Sequence, residues 1–152
     1  MLHATAFRGF SRSADAYERG RPGYPEAAVA QIASRLAAGA TVLDLAAGTG
    51  KLTRPLLAVG LGVIAVEPVA EMRSALPASV RALEGTAEAI PLAAGEVDGV
   101  VVGQAFHWFD GDAALAEIHR VLRPAGLLAL LWNTRVENDP VNRAIDELLA
   151  PY

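Results

Sequence analysis

The sequence predicts an α/β fold, a doubly wound parallel sheet, and three observations carry that expectation. Short, near-continuously apolar runs alternate with segments whose apolar residues recur at helical spacing. Turns bearing glycine or proline separate them. One run, Thr41–Leu45, leads directly into the small-residue stretch Ala46-Ala47-Gly48-Thr49-Gly50. That is the strand-to-helix turn at which open α/β sheets bind ligands.

Taken in order, Pro25 suits the first position of a helix, in which Val29, Ile32, Ala33 and Leu36 repeat at helical spacing and which Gly39 ends. The first strand, 41–45, is apolar at Val42, Leu43 and Leu45 and carries Asp44 near its carboxyl end. A short helix over 51–59 turns Leu52, Leu56 and Leu57 inward. The second strand is 62–67, and the helix after it carries Val69, Met72 and Leu76. Residues 80–84 and 97–103 read as the third and fourth strands. Asp110 or Asp112 caps the next helix, with Leu115, Ile118 and Leu122 expected inward. The turn Arg123-Pro124-Ala125-Gly126 stops it, and 126–132 is the fifth strand. A last helix opens at Asp139-Pro140, with Val141, Ile145, Leu148 and Leu149 on one face. No internal repeat, low-complexity tract or linker interrupts this pattern. The expectation is one domain, 1–152, with an N-terminal helical cap over 1–38 and an α/β core over 39–152.

The length, 152 residues, supports a core without metal or disulfide staples. Hydrophobic content is 53% and mean hydropathy +0.30, but thirty-one alanines supply much of both. No apolar run approaches the roughly 18 residues of a membrane span. The opening MLHATAFRGFSRS lacks the apolar centre of a secretory signal, and a cytoplasmic location is expected. With no cysteine there is no disulfide, thiolate nucleophile or cysteine-ligated metal. A net charge of −4 and a pI near 5.3 argue against a nucleic-acid partner. Lys51 is the only lysine among thirteen basic residues, a bias that carries no mechanistic weight here.

Three features sit where a bound nucleoside would need them. Backbone N–H groups of the turn after the first strand, at a helix start, favour a polar or anionic ligand group. Glu67 ends the second strand, twenty-three residues after Asp44. An acid about 20 positions past the first turn accepts hydrogen bonds from ribose hydroxyls. Gly85-Thr86-Ala87-Glu88 follows the third strand, where backbone and side-chain groups can read an adenine edge. The dinucleotide fingerprint G-x-G-x-x-G is not met, because the run Ala46-Ala47-Gly48-Thr49-Gly50-Lys51 lacks the first glycine and ends early. No G-x-x-x-x-G-K-[ST] phosphate loop occurs either. Asp44 would repel a nearby pyrophosphate but suits a cationic amino group. A ligand with an ammonium, a carboxylate, a ribose and an adenine fits better, and S-adenosylmethionine is one.

These stretches resemble the class I S-adenosylmethionine-dependent methyltransferases, in the broad type 11 group. VLDLAAGTGKLT resembles that family's first motif, with the small residue Ala46 where many members have glycine. AVEP resembles the second motif, and GTAEAIPL a segment in which Thr86 replaces the usual aspartate. VDGVVVGQAFHWFD and RVLRPAGLLALLW resemble the fourth- and fifth-strand motifs. The resemblance implies a Rossmann-like sheet of order 3-2-1-4-5. It also implies cofactor contacts at Asp44, Ala46, Gly48, Thr49, Gly50, Glu67, Pro68, Met72, Thr86, Ala87, Glu88 and Gln104. HWF, with the upstream Tyr17, Arg21, Pro22, Tyr24 and Pro25, resembles the trans-aconitate-type subgroup, whose N-terminal segment folds over the cofactor. Tyr17 is then a further cofactor contact and Arg21, His107 and Trp108 substrate contacts. Arginine also suits bidentate carboxylate binding in its own right.

Methyl transfer needs alignment and exclusion of water more than acid–base work. His107 is placed to act as a base, to orient substrate, or simply to stack on Trp108. Phe106 and Trp108 serve equally as pocket wall or as core. Three scattered histidines argue against a metal site. By the resemblance the sheet would continue with two further, antiparallel strands, so the chain reads as C-terminally truncated. The fifth strand becomes an apolar edge, and a homodimer through that edge is expected.

Overall fold

The computed structural model describes residues 22–134 and 139–149. Its centre is a five-stranded sheet in the order β3-β2-β1-β4-β5, with every paired strand parallel. The strands are β1 (Thr41–Leu45), β2 (Gly62–Val66), β3 (Arg81–Leu83), β4 (Val97–Gly103) and β5 (Leu122–Leu131). The helices are α1 (Glu26–Ala33), α2 (Thr53–Ala58), α3 (Ala70–Arg73), α4 (Gly111–Val121) and α5 (Pro140–Leu149). This is the Rossmann-like order expected. β1 lies at the centre, and its Asp44 is in register with Ala65 of β2 and Val101 of β4.

Alternation along the strands separates two buried layers. Leu43, Leu45, Val66, Val100 and Val102 face Ala114, Ile118 and Val121 of α4. Val42, Val63 and Val101 face the other way, onto Val29 and Ile32 of α1 and Leu56 of α2. α1 is therefore part of the layer that covers the sheet. Helices on both faces keep the central strands dry, which is why their sequences are apolar throughout.

Several boundaries differ from the sequence reading. α1 ends at Ala33, and turns lead from it to Gly39, whose φ is +73°. α2 begins at Thr53 because residues 49–52 complete the turn after β1. On α4 the buried row is Ala114, Ile118 and Val121, while Leu115 is 44% exposed. Ile118 is inward as expected and Leu122, at the start of β5, packs against the same core, but Ala114 takes the place expected for Leu115 against the sheet. Asp110 is the cap, accepting from the Ala113 N–H at 3.3 Å. The segment Arg123-Pro124-Ala125-Gly126 is an irregularity inside β5 rather than a separate turn. Leu122 pairs with Val97, and pairing resumes at Leu127 with Gly99, with Ala125 at φ +62° between them. Val141, Leu148 and Leu149 of α5 are exposed. Among the described residues no helix is long and apolar enough to cross a membrane.

Candidate functional site

The carboxyl ends of β1, β2 and β4 form one rim, and the chain leaves β1 through three left-handed residues. Ala46, Gly48 and Gly50 have φ of +59°, +57° and +87°. Glycine adopts this conformation freely, whereas alanine pays roughly 1–2 kcal/mol for it. Small size is thus only half of what Ala46 supplies, and its backbone is held in place by surrounding bonds. The Ala47 N–H donates to Val66 O at 3.1 Å, and the Gly50 N–H to Ala47 O at 3.0 Å. A side chain at Gly50 has no room: a Cβ there would lie 2.9 Å from Leu76 Cδ2 and 3.1 Å from Arg54 Nη1.

Two buried acids flank this turn. Asp44 is 1% exposed and accepts from Thr53 Oγ1 at 2.6 Å. Burial pushes its carboxyl up to about 7 despite the Thr53 bond, and the nearby Glu67 charge adds to the rise. Glu67 spans two turns: Oε2 accepts from the Gly48 N–H at 2.8 Å and Oε1 from the Val69 N–H at 2.9 Å. Burial raises this carboxyl too, against the pull of those two N–H groups. Arg73 fixes the backbone from below, donating to Glu67 O at 2.7 Å and to Glu84 Oε2 at 2.9 Å. A carboxylate offers about four acceptor positions, so two of those on Glu67 suffice for the backbone.

A cleft of about 210 Å³ opens between the ends of β1 and β4. Asp44 and residues 46–49 form one side, Gly103 and Gln104 the other, and Tyr24 and Asn133 border it. Gln104 has φ +58° and donates its N–H to Leu131 O at 2.9 Å. Left-handed residues other than glycine therefore stand on both sides of the cleft, at Ala46 and Gln104, a form of strain that gathers at ligand sites. Gly103 makes room for Tyr24, since a Cβ there would lie 2.8 Å from Tyr24 Cζ. Asn133 Nδ2 reaches Gly23 O at 3.5 Å, joining the end of β5 to the chain before α1.

A family model described as a methyltransferase domain, type 11, matches residues 43–130, the span that contains this rim. The chain belongs to the methyltransferase domain family. An uncharacterized methyltransferase of Mycobacterium tuberculosis is 51% identical to it over 92% of this chain and 58% of the relative. A solved structure of a candidate type II methyltransferase from Anaeromyxobacter dehalogenans has a TM-score of 0.72 and 30% identity, covering 84% of this chain and 56% of that one. A Thermotoga maritima structure named as an S-adenosylmethionine-dependent methyltransferase has a TM-score of 0.65 and 27% identity, covering 81% and 60%. The chain thus spans under two thirds of the length of each of these three proteins.

Of the residues expected at a methyltransferase site, Asp44, Ala46, Gly48, Thr49 and Gln104 line the cleft together. Glu67 and Pro68 stand at the neighbouring end of β2, and Met72 is buried, its Sδ 4.0 Å from where a Gly48 Cβ would be. Thr86 forms an isolated bridge with Ala89, and the Ala87 side chain belongs to the core. Glu88 Oε1 accepts from the Asp110 N–H at 3.0 Å. His107 and Trp108 lie exposed on a single 3₁₀ turn, Phe106–Trp108, their ring centroids 4.8 Å apart. Neither borders the cleft. Phe106 turns into the core and meets Phe109 edge-on at 5.7 Å. Tyr17 and Arg21 lie outside the described residues. Pro22 and Tyr24 of the upstream motif line the cleft as well, and so do Lys51, Leu52 and Asn133, to which sequence reasoning gave no site role. Lys51 had a signal, as the only lysine directly after the turn; Asn133 had none.

Proposed function

We propose that the chain binds S-adenosylmethionine at the rim of β1, β2 and β4 and transfers its methyl group to a small-molecule acceptor. The observation that carries this reading is the pair of buried acids, Asp44 and Glu67, on either side of a turn of small residues. Two desolvated carboxylates fit a cation and a diol, whereas they would repel a pyrophosphate. Asp44 is the partner for the ligand's ammonium, and the unused acceptor positions of Glu67 take the ribose hydroxyls. Backbone groups of residues 86–88 meet the base. When bound, the cofactor supplies a methyl group on a sulfonium, already activated for in-line displacement.

The chain's own task is to orient and to shield. His107 accepts a proton from the acceptor or orients it, and Trp108 supplies an apolar wall. Tyr17 and Arg21 are assigned to the cofactor's methionine end or to an acceptor carboxylate. That assignment, like the trans-aconitate-type subgroup, rests on the Tyr17-to-Pro25 and HWF motifs. The protein is taken to work in the cytoplasm, with a second copy along β5 as its partner. A second reading, cofactor binding without turnover, is favoured by the exposure of His107 and Trp108, which leaves the acceptor side open. Incubation with methyl-radiolabelled S-adenosylmethionine and a small-metabolite extract separates the two. Label in a non-protein product supports the enzyme, and none supports the second reading.

A further inference from the structure

Helix α4 grips the segment after β3 at both ends. Near its start, the Asp110 N–H donates to Glu88 Oε1 at 3.0 Å. Two turns on, Glu117 and Arg120 hold the backbone of Ile90 and Leu92. Glu117 Oε2 accepts from the Ile90 N–H at 2.8 Å. Arg120 Nη2 donates to Ile90 O at 2.9 Å and Nη1 to Leu92 O at 2.7 Å. The two side chains lock each other, with Arg120 Nε to Glu117 Oε1 at 2.7 Å. The Arg120 guanidinium holds the Glu117 carboxyl down to about 2, so the pair is fully charged across the physiological range. Beneath it, Ala87, Ile90 and Leu92 are buried among Ile118 and Val121. The segment after β3 is thereby tied by polar bonds as well as by core packing to α4. A carboxylate taking an amide N–H while a planar guanidinium takes two carbonyls is directional, and a surface ion pair made for charge alone would not need it.

We infer that Glu117 and Arg120 are positioning residues that set the geometry of residues 86–88, and through it the selectivity for an adenine base. This rests on the assignment of that segment to the base in the proposed function. The pair bonds the backbone at Ile90 and Leu92, just past Glu88, and acts on the backbone groups of residues 86–88 through the chain between them. The probes are S-adenosylhomocysteine and S-inosylhomocysteine, which differ at the exocyclic group and at N1 of the base, titrated into the full chain by calorimetry. The wild-type chain should prefer the adenosyl ligand. Arg120→Met should lower that preference by at least about threefold while weakening the adenosyl ligand about tenfold, the size of one or two lost hydrogen bonds. Arg120→Lys, which can reach one carbonyl, should restore part of the preference. If Arg120→Met does not fold, Glu117→Gln is read by the same criterion. Equal weakening of both ligands with the preference intact would mean a purely structural pair and overturn the inference. So would a wild-type chain with no preference. A wild-type chain that binds neither ligand would instead remove the proposed function on which the inference stands.

Discussion

Burial of Asp44 beneath the β1 turn makes its ionised form costly in the folded chain. Its carboxyl rises from 3.8 to about 7, so between those values the folded chain holds a proton that the unfolded chain has released. Stability contributed by this group is complete below the unfolded value and is lost as pH rises through the folded one. Asp44→Asn keeps an acceptor for Thr53 and removes the charge. It should raise unfolding free energy at pH 8 by on the order of 2–4 kcal/mol and have little effect near pH 4. Denaturant unfolding at both pH values checks this, and an equal change at both would contradict it. Cofactor binding should weaken in the same variant, the usual exchange of stability for function. Asp44 and Glu67 were legible because strand ends and spacing are local properties of a sequence. Tyr24 was legible only as part of its motif and Asn133 not at all, because only the packed fold brings the chain before α1 and the end of β5 to the same cleft. The strain at Gln104 was also out of reach, since no residue type announces a positive φ there.

The elements that were read most faithfully are those buried on both faces, β1, β2 and β4, whose apolar runs have no alternative placement. Readings slipped where one face meets solvent. Leu115 looked like core on periodicity, yet the sheet takes Ala114. β5 carries the largest departure, starting at Leu122 and bulging before it re-enters register. It is the outer strand of the sheet, and among the described residues it pairs only with β4. From Gly126 to its end at Leu131, and on to Trp132 just beyond, there is no charge, with Leu130 37% and Trp132 45% exposed. Arg123, Pro124 and the bulge at Ala125 blunt only the first part of β5, and the stretch after Gly126 lacks the charges and prolines that usually block pairing. Two copies joined edge to edge about a two-fold axis would extend the sheet with identical contacts on each side. Size-exclusion chromatography with light scattering should therefore report a dimer, and Leu130→Lys a monomer. A monomeric wild-type chain would remove the pairing.

At the scale of the whole molecule, the sheet order follows from a few rules: parallel strands, right-handed crossovers and a switch point beside β1. Those rules place the ends of β1, β2 and β4 together, and with them Asp44, Glu67 and Gln104. The fold was readable for this reason, while the acceptor was not, because the scaffold fixes the cofactor and leaves the acceptor to groups around it. Everything proposed for this chain depends on what the rim binds. Calorimetric titration of S-adenosylmethionine, with NAD in parallel, addresses that directly. S-adenosylmethionine should bind saturably at one site, NAD should not, and Glu67→Ala should weaken binding by about 1–3 kcal/mol, the usual loss for hydrogen bonds to a buried charge. No heat with S-adenosylmethionine together with saturable binding of NAD would contradict the assignment.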